Sequence, residues 1–81
     1  PQTRAMEALM MGLRLAEGVN LRALESKTRL AVTEMVDDAE VEKLAGLGFV
    51  EQREDRLTIL PKGMPLLDAL LPKIISDLLR T

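Results

Sequence analysis

The stretch Met10-Met11-Gly12-Leu13-Arg14-Leu15-Ala16-Glu17-Gly18-Val19 constrains this chain most, because it closes a helix that is apolar on two sides. Met6, Leu9, Met10 and Leu13 recur at the spacing that lines one side of a helix, so that side belongs in a core. Ala5, Ala8, Met11 and Leu15 make the opposite side apolar as well, leaving a narrow polar strip through Arg4, Glu7 and Arg14. A helix of this kind usually has protein against both sides. The pattern runs the helix to Glu17, with Gln2 or Thr3 as its cap and Gly18 as the left-handed residue that stops it. Arg4 with Glu7, and Arg14 with Glu17, are i,i+3 neighbours of opposite charge, worth about 0.2–0.5 kcal/mol per pair on an exposed surface.

Composition narrows the function. The chain has 81 residues, enough for one domain over 1–81, and at this size a single core leaves only about 3–5 kcal/mol. It opens Pro1-Gln2-Thr3 without an initiator Met, so the expectation is a piece excised from a longer chain or a processed product. Eleven basic and thirteen acidic residues give a net charge of −2, which argues against a nucleic-acid footprint. No apolar run approaches the roughly 20 residues of a membrane span, and no signal-peptide pattern is expected from these residues. Together with the absence of Cys, this makes the cytoplasm the expected compartment.

Absent residue types also exclude chemistry. With neither Cys nor His, the chain cannot supply the usual ligands of zinc, an iron–sulfur cluster or histidine-bound haem, nor a Cys–His or Ser–His nucleophile pair. A metal site would have to be carboxylate-only and of the magnesium kind, and Asp37 and Asp38 read more simply as helix-start charge. Met6, Met10, Met11, Met35 and Met64 could bring thioether to haem iron, yet methionine is more often adaptable core filler. The segment is thus expected to hold no catalytic, cofactor or metal residue of its own.

Further along, Asn20 is a plausible N-cap for a second helix with Leu21 and Leu24 inward and Arg22, Glu25 and Lys27 outward. Residues 28–36 read as loop, although Leu30 and Val32 alternate with polar neighbours and allow a short strand. Asp37 and Glu40 have capping-box spacing before a third helix that turns Val41, Leu44 and Ala45 inward and ends at Gly46 or Gly48. Residues 49–53 and 56–60 form a hairpin around Glu54-Asp55. Pro61-Lys62-Gly63 ends it, and Pro65 suits the first turn of a closing helix. That helix turns Leu66, Leu67, Leu70, Leu71, Ile74, Ile75 and Leu78 inward and Ser76 and Arg80 outward, and Pro72 should kink or split it.

Three helices, a hairpin and a closing helix kinked near Pro72 define an α+β, mainly α, winged-helix-like fold. In such folds the third helix often enters a DNA groove. Here that region carries Asp37, Asp38, Glu40 and Glu42 against Lys43 alone, and acid there repels phosphate. Arg53 and Arg56 on the hairpin are likewise offset by Glu51, Glu54 and Asp55.

At Met11-Gly12-Leu13-Arg14-Leu15 with Glu17-Gly18-Val19, the chain resembles the C-terminal domain of the oxygen-independent coproporphyrinogen III oxidase family, which includes a haem-chaperone branch. Leu44-Ala45-Gly46-Leu47-Gly48-Phe49-Val50 matches that family's helix-to-strand step, Arg56-Leu57 and Pro61-Lys62-Gly63 its second strand and turn, and the helix from Leu66 its closing helix. The chain departs at Leu60, where relatives often carry Thr, and at Asp68, where they often carry Asn. The Glu17-Gly18-Val19 form and the Met-rich first helix look closer to the chaperone branch.

The resemblance implies a radical S-adenosylmethionine barrel upstream in the same chain, a parent oxidoreductase or haem chaperone of porphyrin metabolism. Its 4Fe-4S cluster and S-adenosylmethionine, and haem in the chaperone branch, would belong to that parent. This segment would then be a docking and lid element. Glu7, Met11, Arg14, Leu15 and Glu17 are the candidates for facing the barrel or its ligand, with Arg14 pairing either with a partner carboxylate or porphyrin propionate, or simply with Glu17. The alternative from another class is a free-standing winged-helix regulator that binds DNA or protein.

Overall fold

The computed structural model describes residues 2–80, without the side chains of Gln2, Leu78 and Arg80. Helix α1 spans Gln2–Leu13 and seats Ala5, Leu9 and Leu13 in the core, each fully buried. Ala5 therefore belongs to the core side, not to the second apolar side expected from its spacing. The helix also stops at Leu13 and not at Glu17. Beyond it the bonds tighten to i→i−3, with the Arg14 N–H donating to Met11 O at 3.3 Å and the Leu15 N–H to Gly12 O at 3.1 Å. Leu15 N–H is thus spent on a tight turn, and Leu15 O then accepts from the Gly18 N–H at 3.1 Å. Gly18 is left-handed (φ 74°), as expected, but closes this turn and not the helix. Gln2 already lies within α1, so Thr3 is not its cap, and the Gln2 side chain lies outside the described groups.

Strand β1, Val19–Asn20, follows directly and was not anticipated; two residues carry no readable alternation. Asn20 ends β1 and caps α2 (Leu21–Thr28), its side chain accepting from the Ala23 N–H at 3.0 Å. Leu21 and Leu24 are buried as expected. The stretch expected as loop contains a one-turn helix α3, Val32–Met35. Glu34 accepts from the Ala31 N–H at 2.9 Å, and Glu25, reaching from α2, accepts from the Val32 N–H at 3.0 Å. One acceptor from within the turn and one borrowed from α2 thus satisfy the free N–H groups at the start of this short helix.

Helix α4, Asp38–Gly46, is capped by Asp37, whose carboxylate accepts from the Glu40 N–H at 3.2 Å. The reciprocal half of the box does not form, because the Asp37 N–H donates instead to Ile74 O at 2.8 Å. Glu40 Oε2 is left buried without a hydrogen-bond partner. Val41 and Leu44 face the core, whereas Ala45 is exposed, contrary to expectation. At the far end the Gly48 N–H bonds to Ala45 O and the Phe49 N–H to Leu44 O, the paired closure of a Schellman motif. Lys62 adds a bond from Nζ to Leu47 O at 3.0 Å, with its ammonium 5.2 Å from the Phe49 ring centre.

Strands β2 (Val50–Arg53) and β3 (Arg56–Ile59) form the expected hairpin around Glu54-Asp55, with Arg53 opposite Arg56. The antiparallel sheet has the order β1-β3-β2, so β3 is central and Leu57 meets Val19 on one side and Gln52 on the other. Val19, Val50, Leu57 and Ile59 are its buried residues.

Pro65 lies in a 3-10 turn, Met64–Leu66, and not in an α-helical first turn. Helix α5, Leu67–Ile74, contains Pro72 and buries Leu67, Leu70, Leu71 and Ile74. The expected break occurs, but after Ile74: Ile75 is extended and pairs with Val36, and the Ser76 N–H donates to Met35 O at 2.9 Å before α6, Asp77–Arg80. Ser76 is consequently buried where an outward residue was expected, and Leu66 is 44% exposed where an inward one was. The inward Leu78 and outward Arg80 lie outside the described side chains.

Candidate functional site

Of the five candidates, Glu7 and Met11 stand one turn apart on the outer side of α1, and Met11 is 71% exposed. Arg14 and Leu15 no longer continue that helix face; they occupy the tight turn after it, and Leu15 is 52% exposed. Glu17 is carried further round, where its carbonyl accepts from Arg56 Nη1 at 2.9 Å. The structure therefore groups Met11, Arg14 and Leu15 within one turn of chain and separates Glu17 from them.

The pair expected between Arg14 and Glu17 is replaced. Arg14 Nη2 lies 3.9 Å from Asp68 Oδ1, so the ion pair joins the end of α1 to the first turn of α5. Asp68 is nearly fully exposed and Arg14 about half, which makes the pair worth about 0–1 kcal/mol and leaves both groups easily exchanged for other partners.

Beside this turn opens a groove of about 770 Å³ with a mainly apolar wall that includes Ala16, Ile59, Leu60, Pro61, Met64 and Pro65, with Glu51 and Thr58 among its polar residues. Sequence reasoning missed it. Leu60, Met64 and Pro65 read as strand end and helix start, and nothing in local periodicity says that they meet Ala16. The signal that could have found the face is the excess of apolar residues in 60–67 over what a one-sided helix can bury. Leu66, exposed and two residues before Asp68, belongs to the same end of the molecule as Arg14.

The donor set does not fit an iron–sulfur cluster, zinc or histidine-bound haem, since the chain has no Cys and no His. Among the described residues no three Asp or Glu converge as a metal site would require. Met35 is buried with its sulfur 3.8 Å from the Thr28 hydroxyl, and Met6, Met10 and Met64 pack against the core. That leaves Met11 as the exposed thioether among them. Among the described residues no helix is long and apolar enough to cross a membrane.

A helix, a strand, three helices, a hairpin with central β3 and closing helices make this a winged-helix-type domain. The model of the HemN C-terminal domain family matches residues 1–66, and the chain belongs to that family. The match ends at Leu66, so α5 and α6 lie beyond it. Neither the curated proteins nor the solved structures include a significant match to the chain.

Proposed function

We propose that this chain is the accessory domain of a HemN-family protein and docks through the Met11–Leu15 turn and its neighbouring groove onto a radical S-adenosylmethionine barrel upstream in the same polypeptide. The observation that carries the reading is the pair of exposed apolar side chains, Met11 and Leu15, on either side of Arg14, next to an apolar groove. Apolar side chains within three residues of fully buried Leu13 are well placed to be covered by a second body. On docking, Arg14 exchanges its exposed partner Asp68 for a carboxylate of the barrel or of a propionate-bearing porphyrin, and burial makes that bidentate contact stronger. The 4Fe-4S cluster, S-adenosylmethionine and any haem belong to the parent, in the cytoplasm, and this domain closes the site without reacting. The Glu17-Gly18-Val19 form of the turn favours the haem-chaperone branch over the oxidase.

A free-standing DNA-binding regulator is less well supported, because α4 carries exposed Asp38 and Glu42, which repel phosphate. The test is to mix this chain with its parent truncated before it. Association should be measurable by calorimetry and lost in Leu15→Asp. No association, or association indifferent to that change, would refute the docking face.

A further inference from the structure

Arg4, near the start of α1, and Lys27, Thr28 and Arg29, at the end of α2, line one open cleft of about 390 Å³. Three cationic residues line it, and no acid does. Two carboxylates stand at the sequence spacing that would neutralise them, and neither does so. Glu25, four residues before Arg29, turns Oε2 to the Val32 N–H to cap α3, and Glu7, three residues after Arg4, forms no ion pair with it. Thr28 is occupied too, donating its hydroxyl to Leu24 O at 2.8 Å and accepting from the Leu30 N–H at 3.3 Å.

Ordinary helix electrostatics explains only part of this. Lys27 and Arg29 complement the negative end of α2, but Arg4 sits at the positive end of α1, where a cation is disfavoured. Arg29 is held left-handed at φ 63° as the C-cap of α2, its N–H donating to Glu25 O at 2.8 Å, which fixes the backbone from which its side chain leaves. Like charge gathered at one cleft, with no acid in its lining and Arg4 at the unfavourable end of its helix, points to a role for the side chains.

We propose that this cleft binds a compact phosphate-bearing anion, whose oxygens take the guanidinium groups of Arg4 and Arg29 and the ammonium of Lys27. Phosphate suits it because two planar forks and a point charge match its several terminal oxygens and its charge of about −2. A nucleic-acid strand would need a basic track continuing past the cleft. The net charge of −2, with Asp38, Glu40 and Glu42 on α4, supplies none. This site is independent of the docking face.

The test is titration of inorganic pyrophosphate into the 81-residue chain at low salt, followed by amide and arginine side-chain NMR. Saturable shifts should concentrate at Arg4 and at residues 27–30. Arg29→Gly, which keeps the left-handed backbone, should weaken binding by about tenfold with the rest of the spectrum unchanged, as should Arg4→Gln. Affinity within about twofold of the parent chain in both variants would overturn the proposal. So would shifts spread equally onto Arg53 and Arg56, absence of saturation, or tighter binding of a short single-stranded oligonucleotide than of pyrophosphate.

Discussion

At the scale of single residues, two backbone positions set testable limits. Gly12 lies inside α1, where alanine is ordinarily better by about 1 kcal/mol, yet a Cβ there would collide with Val19 Cγ2. Val19 is β-branched, buried and pinned to Leu57 by the sheet, so it cannot swing aside. Overpacking therefore outweighs propensity, and Gly12→Ala should lower stability by about 1–2 kcal/mol, read as an earlier urea midpoint at unchanged slope. The opposite sign is expected at Glu54, held at φ 55° in the hairpin turn. Glu54→Gly removes the Cβ strain from an exposed position with no core contact and should raise stability by about 0.5–1 kcal/mol in the same measurement.

At the scale of elements, the break between α5 and α6 distinguishes a local cause from a tertiary one. Pro72 lacks the N–H that would bond to Asp68 O, but the helix continues through it to Ile74. What stops α5 is the extended Ile75, held by its bridge to Val36 and by the flanking bonds from Asp37 to Ile74 and from Ser76 to Met35. Pro72→Ala should accordingly leave the helix break in place and shift stability by no more than about 1 kcal/mol, since a regained hydrogen bond is offset by a looser unfolded chain. Unchanged far-UV dichroism and retained amide-exchange protection at Ser76 check it; a continuous α5–α6 helix would contradict it. The same distinction explains which elements were legible in sequence. The Asn20 cap, the Asp37 cap and the hairpin are written in residues a few positions apart. The end of α1 is decided by Val19 pairing with Leu57, and α3 by a carboxylate seven residues away, so a helical period overruns the first and passes over the second.

At the scale of the whole molecule, one helix and its closing turn serve two surfaces, and the sequence showed one more clearly than the other. The apolar Met11 and Leu15 were readable beside Arg14, because the pattern has more apolar residues than one core face can take. Asp68 and the groove wall at Leu60, Met64 and Pro65 were not, because they reach this place by the return of the chain after β3. The two surfaces should separate cleanly in stability. Leu9 is fully buried in the centre of the core, and Leu9→Ala forfeits its transfer energy and leaves a cavity, a loss of about 2–5 kcal/mol. That rivals the roughly 3–5 kcal/mol available to a domain of this size, so the variant should be partly unfolded at room temperature. Leu15→Asp, six residues on, removes a side chain already half in water and should change stability by less than about 0.5 kcal/mol. Thermal unfolding of the two variants side by side checks the contrast. A large loss in Leu15→Asp would mean that the turn is part of the domain's own core, and its loss of docking would then report only unfolding.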